Sequence, residues 1–148
     1  MATLSGGDKL RQKLVEIAKG MESGELSVGF MSGATYPDGT PVAQVAFWNE
    51  FGTTRSPARP FFRKMIERNS EAWPDVFAKA AKASRYNTKQ ALSMVGEKIS
   101  DQLQSSIVGW TEPGNAPSTI SAKGFDKPLI DSGQMQRSIT YNVKTGGD

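Results

Sequence analysis

At 148 residues the chain has the commonest size of a single domain, long enough to bury roughly 70% of its unfolded surface without a metal or disulfide staple. It contains no cysteine and no histidine, which excludes disulfides, thiolate nucleophiles, the usual zinc and iron ligands, and the side chain that titrates near neutral pH. Eighteen Lys and Arg against fifteen Asp and Glu leave a net charge of +3, spread along the chain without a run and too weak to imply a nucleic-acid binder.

The first twenty residues, "MATLSGGDKLRQKLVEIAKG", lack the unbroken apolar stretch of a signal peptide or membrane span, so the chain is expected to be cytosolic at synthesis, with no membrane partner. Leu10, Leu14, Ile17, Ala18 and Met21 recur at helical spacing. They predict an amphipathic first helix capped by Ser5 or Asp8 and ended by Gly20 or Gly24. In "ELSVGFM" the period changes to two, with Leu26, Val28 and Phe30 on one side, the pattern of a half-buried strand. "SGATYPDGTP" follows, a turn-rich loop and a candidate binding surface.

"TPVAQVAFWNEFG" is ambiguous by periodicity, since its apolar run also suits a strand. Thr40 as N-cap, Pro41 at the first helical position and Gly52 past the end favour a short helix. "TTRSPAR" breaks it, and Pro60 opens the next, with Phe61, Phe62, Met65, Ile66 and Asn69 at helical spacing. Pro74 predicts a kink or restart before "DVFAKAAKA". The clearest element is a helix over "NTKQALSMVGEKISDQLQSSIVG". Its stripe is Leu92, Val95, Ile99, Leu103 and Ile107, with Asn87 and Gln90 as a capping box and Gly109 at the C-terminal cap. A long aperiodic loop follows, then a short helix capped by Asp131 with Gln134 three residues on. The last strand carries Ile139, Tyr141 and Val143 and suits pairing with residues 25–31. The sum is one α+β domain, a small antiparallel sheet packed under one long helix, with shorter helices and exposed loops.

Catalytic chemistry finds little support. No glycine cluster fits a phosphate loop, and no cofactor is expected. The carboxylate pairs Glu67 with Glu71 and Glu97 with Asp101 read as solvated helix faces. A serine hydrolase without histidine needs a lysine base, and "SAKG" is one residue short of an SxxK spacing. The stretch "AFWNEFGTTRSPARPFFRKM" stands out instead. Arg55, Arg59, Arg63, Lys64 and Arg68 beside Phe61 and Phe62 suit a stacking, basic nucleic-acid platform. The favoured reading is that the phenylalanines are core and the arginines flank Glu50, Glu67 and Glu71 as ion pairs. For Trp48 and Phe51 two readings stay open, cover for the core or the centre of a protein interface, where aromatics and arginine are enriched.

Three stretches carry a family resemblance: "GATYPDGTPVAQVAFWNEFGT", "PARPFFRKMI" and "NAPSTISAKGFDKPLIDSGQMQRSITY". In order and spacing they resemble the neck and tail-component proteins of tailed bacteriophages, a broad group that includes the HK97 gp10-like and minor-tail-protein-Z-like families. The resemblance covers roughly residues 25–143. It implies a non-enzymatic virion protein of the head–tail junction, an α+β subunit of a ring, usually of six copies, between the head connector or adaptor and the tail terminator or tube. It carries over to Asn49, Glu50, Phe51 and Gly52, to Pro57, Arg59, Pro60, Phe61, Phe62 and Arg63, and to Pro128, Leu129, Ile130, Asp131, Gly133 and Ser138. A ring needs two different surfaces per subunit. The expected subunit and partner contacts are Tyr36 and Asp38 in the first loop, Trp48, Glu50, Phe51, Arg55, Arg59, Phe62 and Arg63 around the break, and Trp110, Asn115 and Phe125 in the loop over residues 109–128. The alternative is a DNA-binding protein that touches the genome end in the channel.

Overall fold

The computed structural model describes residues 5–111, 119–120, 129 and 133–146. The period-two segments pair as expected. Strand β1 (Gly24–Phe30) lies antiparallel to β2 (Ile139–Thr145), with Leu26 opposite Val143, Val28 opposite Tyr141 and Phe30 opposite Ile139. The register places all six on one face. The other face carries Glu25, Ser27, Thr140, Asn142 and Lys144, all exposed. Two strands alone are marginal in water and need a packed partner.

That partner is the long helix, Thr88–Val108, which packs against both strands. It starts where the sequence predicts, with the Asn87 side chain accepting the Gln90 N–H at 2.9 Å, and Gly109 ends it. Val95, Ile99, Leu103 and Ile107 are buried as expected, joined by Ala91 and Gly96. A Cβ on Gly96 would lie 2.6 Å from the Tyr141 ring and 2.9 Å from Leu26, so glycine here sets how closely helix and sheet approach.

Four helices precede the long one. They are α1 (Ser5–Gly20), α2 (Val42–Phe51), α3 (Phe61–Asn69) and α4 (Trp73–Ala83), so the long helix is α5. A single 3-10 turn, Ser70–Ala72, separates α3 from α4, and Pro74 sits in the first turn of α4, which is the predicted restart. The Trp73 indole N–H donates to Gln102 at 2.8 Å and ties α4 to α5. Phe61 and Met65 of α3 are buried to 1% exposure, and with Val42, Ala46, Leu103, Ile107, Leu129 and Met135 they complete one core. Burying a side chain of the Phe or Leu class stabilises by about 1.5–3 kcal/mol.

One expected cap is corrected. Thr40 does not cap α2. Its N–H is taken by the Asp38 carboxylate at 2.9 Å, Pro41 holds the position before the helix, and no side chain caps it. The short helix near the C-terminus, α6 (Gln134–Arg137), follows Gly133 in a left-handed conformation, φ 80°. Asp131 lies outside the described residues.

The first helix departs most from an ordinary amphipathic element. Its C-terminal end is anchored: the Thr88 hydroxyl accepts the Glu22 N–H at 2.9 Å, Lys13 lies 4.7 Å over the Tyr86 ring, and Gly20 abuts the Tyr86 carbonyl. Tyr86 and Arg85 both adopt left-handed φ, 62° and 55°, a geometry that costs about 1–2 kcal/mol per residue. Of the stripe expected to pack, Leu10 and Leu14 stay open, 61% and 57% exposed, while Ile17 and Met21 are half-buried.

Candidate functional site: an aromatic corner

The segment between α2 and α3 is a tight corner. Gly52 sits at φ 78° and donates its N–H to the Trp48 carbonyl. A Cβ there would lie 2.8 Å from the Ala58 nitrogen, so the turn has room and conformation only for glycine. The Thr53 hydroxyl then accepts the N–H groups of Arg55 and Ser56, and the Arg59 N–H returns to the Asn49 carbonyl.

Pro60 precedes α3, and the first amides of a helix need acceptors that the helix itself lacks. Glu50 supplies them from the last turn of α2. One carboxylate oxygen accepts the Phe62 N–H at 2.9 Å, and the other accepts the Arg63 N–H at 3.1 Å and the Arg63 side-chain Nε at 2.8 Å. The Arg63 guanidinium also donates to the Glu50 backbone carbonyl at 2.9 Å. A negative group at a helix N-terminus meets both unsatisfied donors and the positive end of the dipole. Glu50 thus acts as a cap from twelve residues away, buried to 6% exposure.

While Glu50 turns inward with Val42 and Ala46, the three aromatic side chains of α2 face out. Phe47 is 57% exposed, Phe51 54% and Trp48 44%. Phe47 and Phe51 stack with centroids 4.8 Å apart, and the Arg63 guanidinium lies 4.7 Å over the Phe51 ring. With Phe30, Ala43 and Phe62 they line an open apolar groove of about 310 Å³ whose floor reaches Glu50 and Arg63.

Several expected contact residues lie elsewhere. Glu50 and Arg59 are interior groups, 6% and 8% exposed, which corrects their expected place on a partner-facing surface. Phe61 is core as read, while Phe62 is half-buried. Trp48 and Phe51, for which the sequence leaves two readings open, are each about half exposed, 44% and 54%. Arg55 is exposed, and so is Asp38, whose carboxyl is held below its ordinary value by the Thr40 hydrogen bond. Tyr36 and Trp110 are half-buried and pack against the core. Asn115 and Phe125 lie outside the described residues.

Of the residues read as a nucleic-acid platform, Arg55 stays exposed. Arg63 and Lys64 are paired with Glu50 and Glu67, and Arg59 is buried. Arg68 and Lys98 border a shallow trough that they share with Asp101, so its rim carries both signs. Among the described residues no three metal-ligating side chains cluster, and no helix is long and apolar enough to cross a membrane. No family model, curated protein or solved structure matches the chain.

Proposed function

We propose that this chain is a neck or tail-completion subunit of a tailed bacteriophage, one copy of a homo-oligomeric ring that joins the head connector to the tail. One observation carries the reading: described parts of the three stretches that resemble the family, far apart in sequence, are joined by hydrogen bonds and a shared core. Glu50 of the first holds the helix start of the second. Gln134 of the third donates to the Thr35 carbonyl of the first. Leu129, Met135 and Ile139 of the third share the core with Val42 and Ala46 of the first.

The corner also presents what a ring subunit needs, a rigid apolar surface with aromatic side chains at its centre. Cryo-electron microscopy of purified virions tests the proposal. The chain is expected as a ring at the head–tail junction, and particles that lack it there overturn the reading. A salt titration of binding to a short duplex tests the DNA-binding alternative, because phosphate contacts produce a steep salt dependence. The ring reading expects no such slope.

A further inference from the structure

We infer that copies of this chain associate head to tail, with the apolar stripe of α1 on one copy seated in the aromatic groove beside α2 of the next. The inference rests on the ring reading only for closure of the assembly. The contact itself follows from two surfaces that stay exposed among the described residues of a single copy.

The first surface is convex. Leu10, Leu14 and Ile17 fall at i, i+4 and i+7 on α1, the spacing by which an amphipathic helix enters a groove. The helix has sixteen residues, and a lone helix of about 15 residues is marginal in water unless its apolar face packs. Leu10 and Leu14 stay more than half exposed within the copy, while Ile17, nearer the anchored end, is half-buried. The second surface is the concave groove lined by Phe30, Ala43, Phe47, Phe51 and Phe62.

The two lie at opposite ends of the body. Thr88, at the start of α5, bonds to the backbone at Gly20 and Glu22, while Ser106, in its last turn, bonds to the Phe61 carbonyl beside the groove. Eighteen residues of helix separate those anchors, about 27 Å at 1.5 Å per residue. An isologous contact through α1 would leave both grooves open, and one through the grooves would leave both helices bare. Head-to-tail contact covers both at once, and it is the symmetry that builds rings.

Leu10 and Leu14 on one side and Phe47 and Phe51 on the other are each over half exposed. At roughly 100 Å² apiece they supply about 200 Å² of apolar surface per side. A standard interface buries about 800 Å² per partner, of which somewhat over half is apolar. These four side chains thus provide somewhat under half of the apolar requirement.

The absence of cysteine from the chain makes the test clean. Leu14→Cys and Phe47→Cys are both at exposed positions, so folding is preserved. The two full-length variants, one isotopically labelled, are mixed and joined with a short bis-maleimide, and the products are separated by mass. The mixed pair is expected to exceed each homogeneous pair by roughly tenfold, the ratio that even a modest binding preference produces. Random collision gives a mixed pair only twice as abundant as each homogeneous one. That random ratio, or dominance of either homogeneous pair, overturns the inference. The experiment needs no virion. A mixed pair from a chain that particles do not carry would sink the phage reading alone, and random pairing of a chain found at the neck would sink this contact alone.

Discussion

Around α5 the buried positions are mostly apolar, among them Ala91, Val95, Ile99, Leu103 and Ile107, and on the sheet beneath it Leu26, Val28, Tyr141 and Val143 alternate with exposed Glu25, Ser27, Asn142 and Lys144. At the corner of α2 and α3 part of that order is reversed. There a carboxylate and an arginine are buried, Glu50 and Arg59, while Phe47, Trp48 and Phe51 stand in solvent. Both regions belong to one core, so the reversal is not loose packing at an edge. A fold exposes three aromatics on one helix at a cost in solubility, and such surfaces mark sites of association.

Truncation is the sharpest way to break this contrast. Leu103→Ala in the body, at 0% exposure, is expected to cost about 2–5 kcal/mol of unfolding free energy through lost transfer and an unfilled cavity. Phe47→Ala removes a larger side chain from the corner, yet it should cost under about 1 kcal/mol in the isolated chain, since most of that ring is already in water. Urea melts of the two variants compare them directly. Equal losses would mean that Phe47 is a core residue and would dissolve the distinction.

The buried charge is the next point to press. Glu50→Ala leaves the Phe62 and Arg63 N–H groups without their acceptor and is expected to cost about 2–4 kcal/mol, near the upper range for a lost helix cap. The ion pair adds little to this, because the Arg63 side chain is 56% exposed and screened. Glu50→Gln keeps an acceptor oxygen and should recover about half of the loss. Full recovery by Gln would show that charge at the helix start contributes nothing.

How legible each region was follows from the same contrast. The long helix could be read because its stripe and the Asn87 cap are local signals, and the strand pairing because both segments alternate with period two. Periodicity assumes that apolar means inside. That assumption holds for Val95 and Leu103 and fails for Phe47, Trp48 and Leu14. Glu50 was missed as a cap because its partners lie twelve residues on, beyond any capping-box spacing, and only the fold brings them together. Within α2 the buried Glu50 sits at the same helical phase as Val42 and Ala46. A polar residue at phase with two small apolar ones was the available sign that the inner face of α2 holds a carboxylate.

The two regions also use glycine for different reasons, which a pair of alanine substitutions separates. Gly52→Ala meets both a left-handed φ and a backbone atom 2.8 Å away, and it is expected to cost about 2–3 kcal/mol with no way to relax. Gly96→Ala meets only side chains, the Tyr141 ring and Leu26. These can shift, and alanine is the better helix former by about 1 kcal/mol, so the net loss should be about 1–2 kcal/mol. Thermal melts that ranked Gly96→Ala as the worse variant would place the stricter backbone constraint in the body.

The smallest expected effect lies at the tip of the turn that leads into α2. Asp38 is fully exposed, and its carboxylate accepts the Thr40 N–H, which holds its pKa below the ordinary value of 3.8. Since the folded value is the lower one, the carboxylate's contribution is fully present above the unfolded value and is lost as pH falls through the folded one. Asparagine keeps an oxygen that can accept the same N–H but has no charge to lose. Asp38→Asn should therefore leave stability near neutral pH almost unchanged and slightly flatten the acid limb of the stability curve below about pH 4. Urea midpoints measured across that limb test it. An acid limb as steep in the variant as in the parent would show that the pH dependence comes from other carboxylates and that the turn is held by its backbone bonds alone.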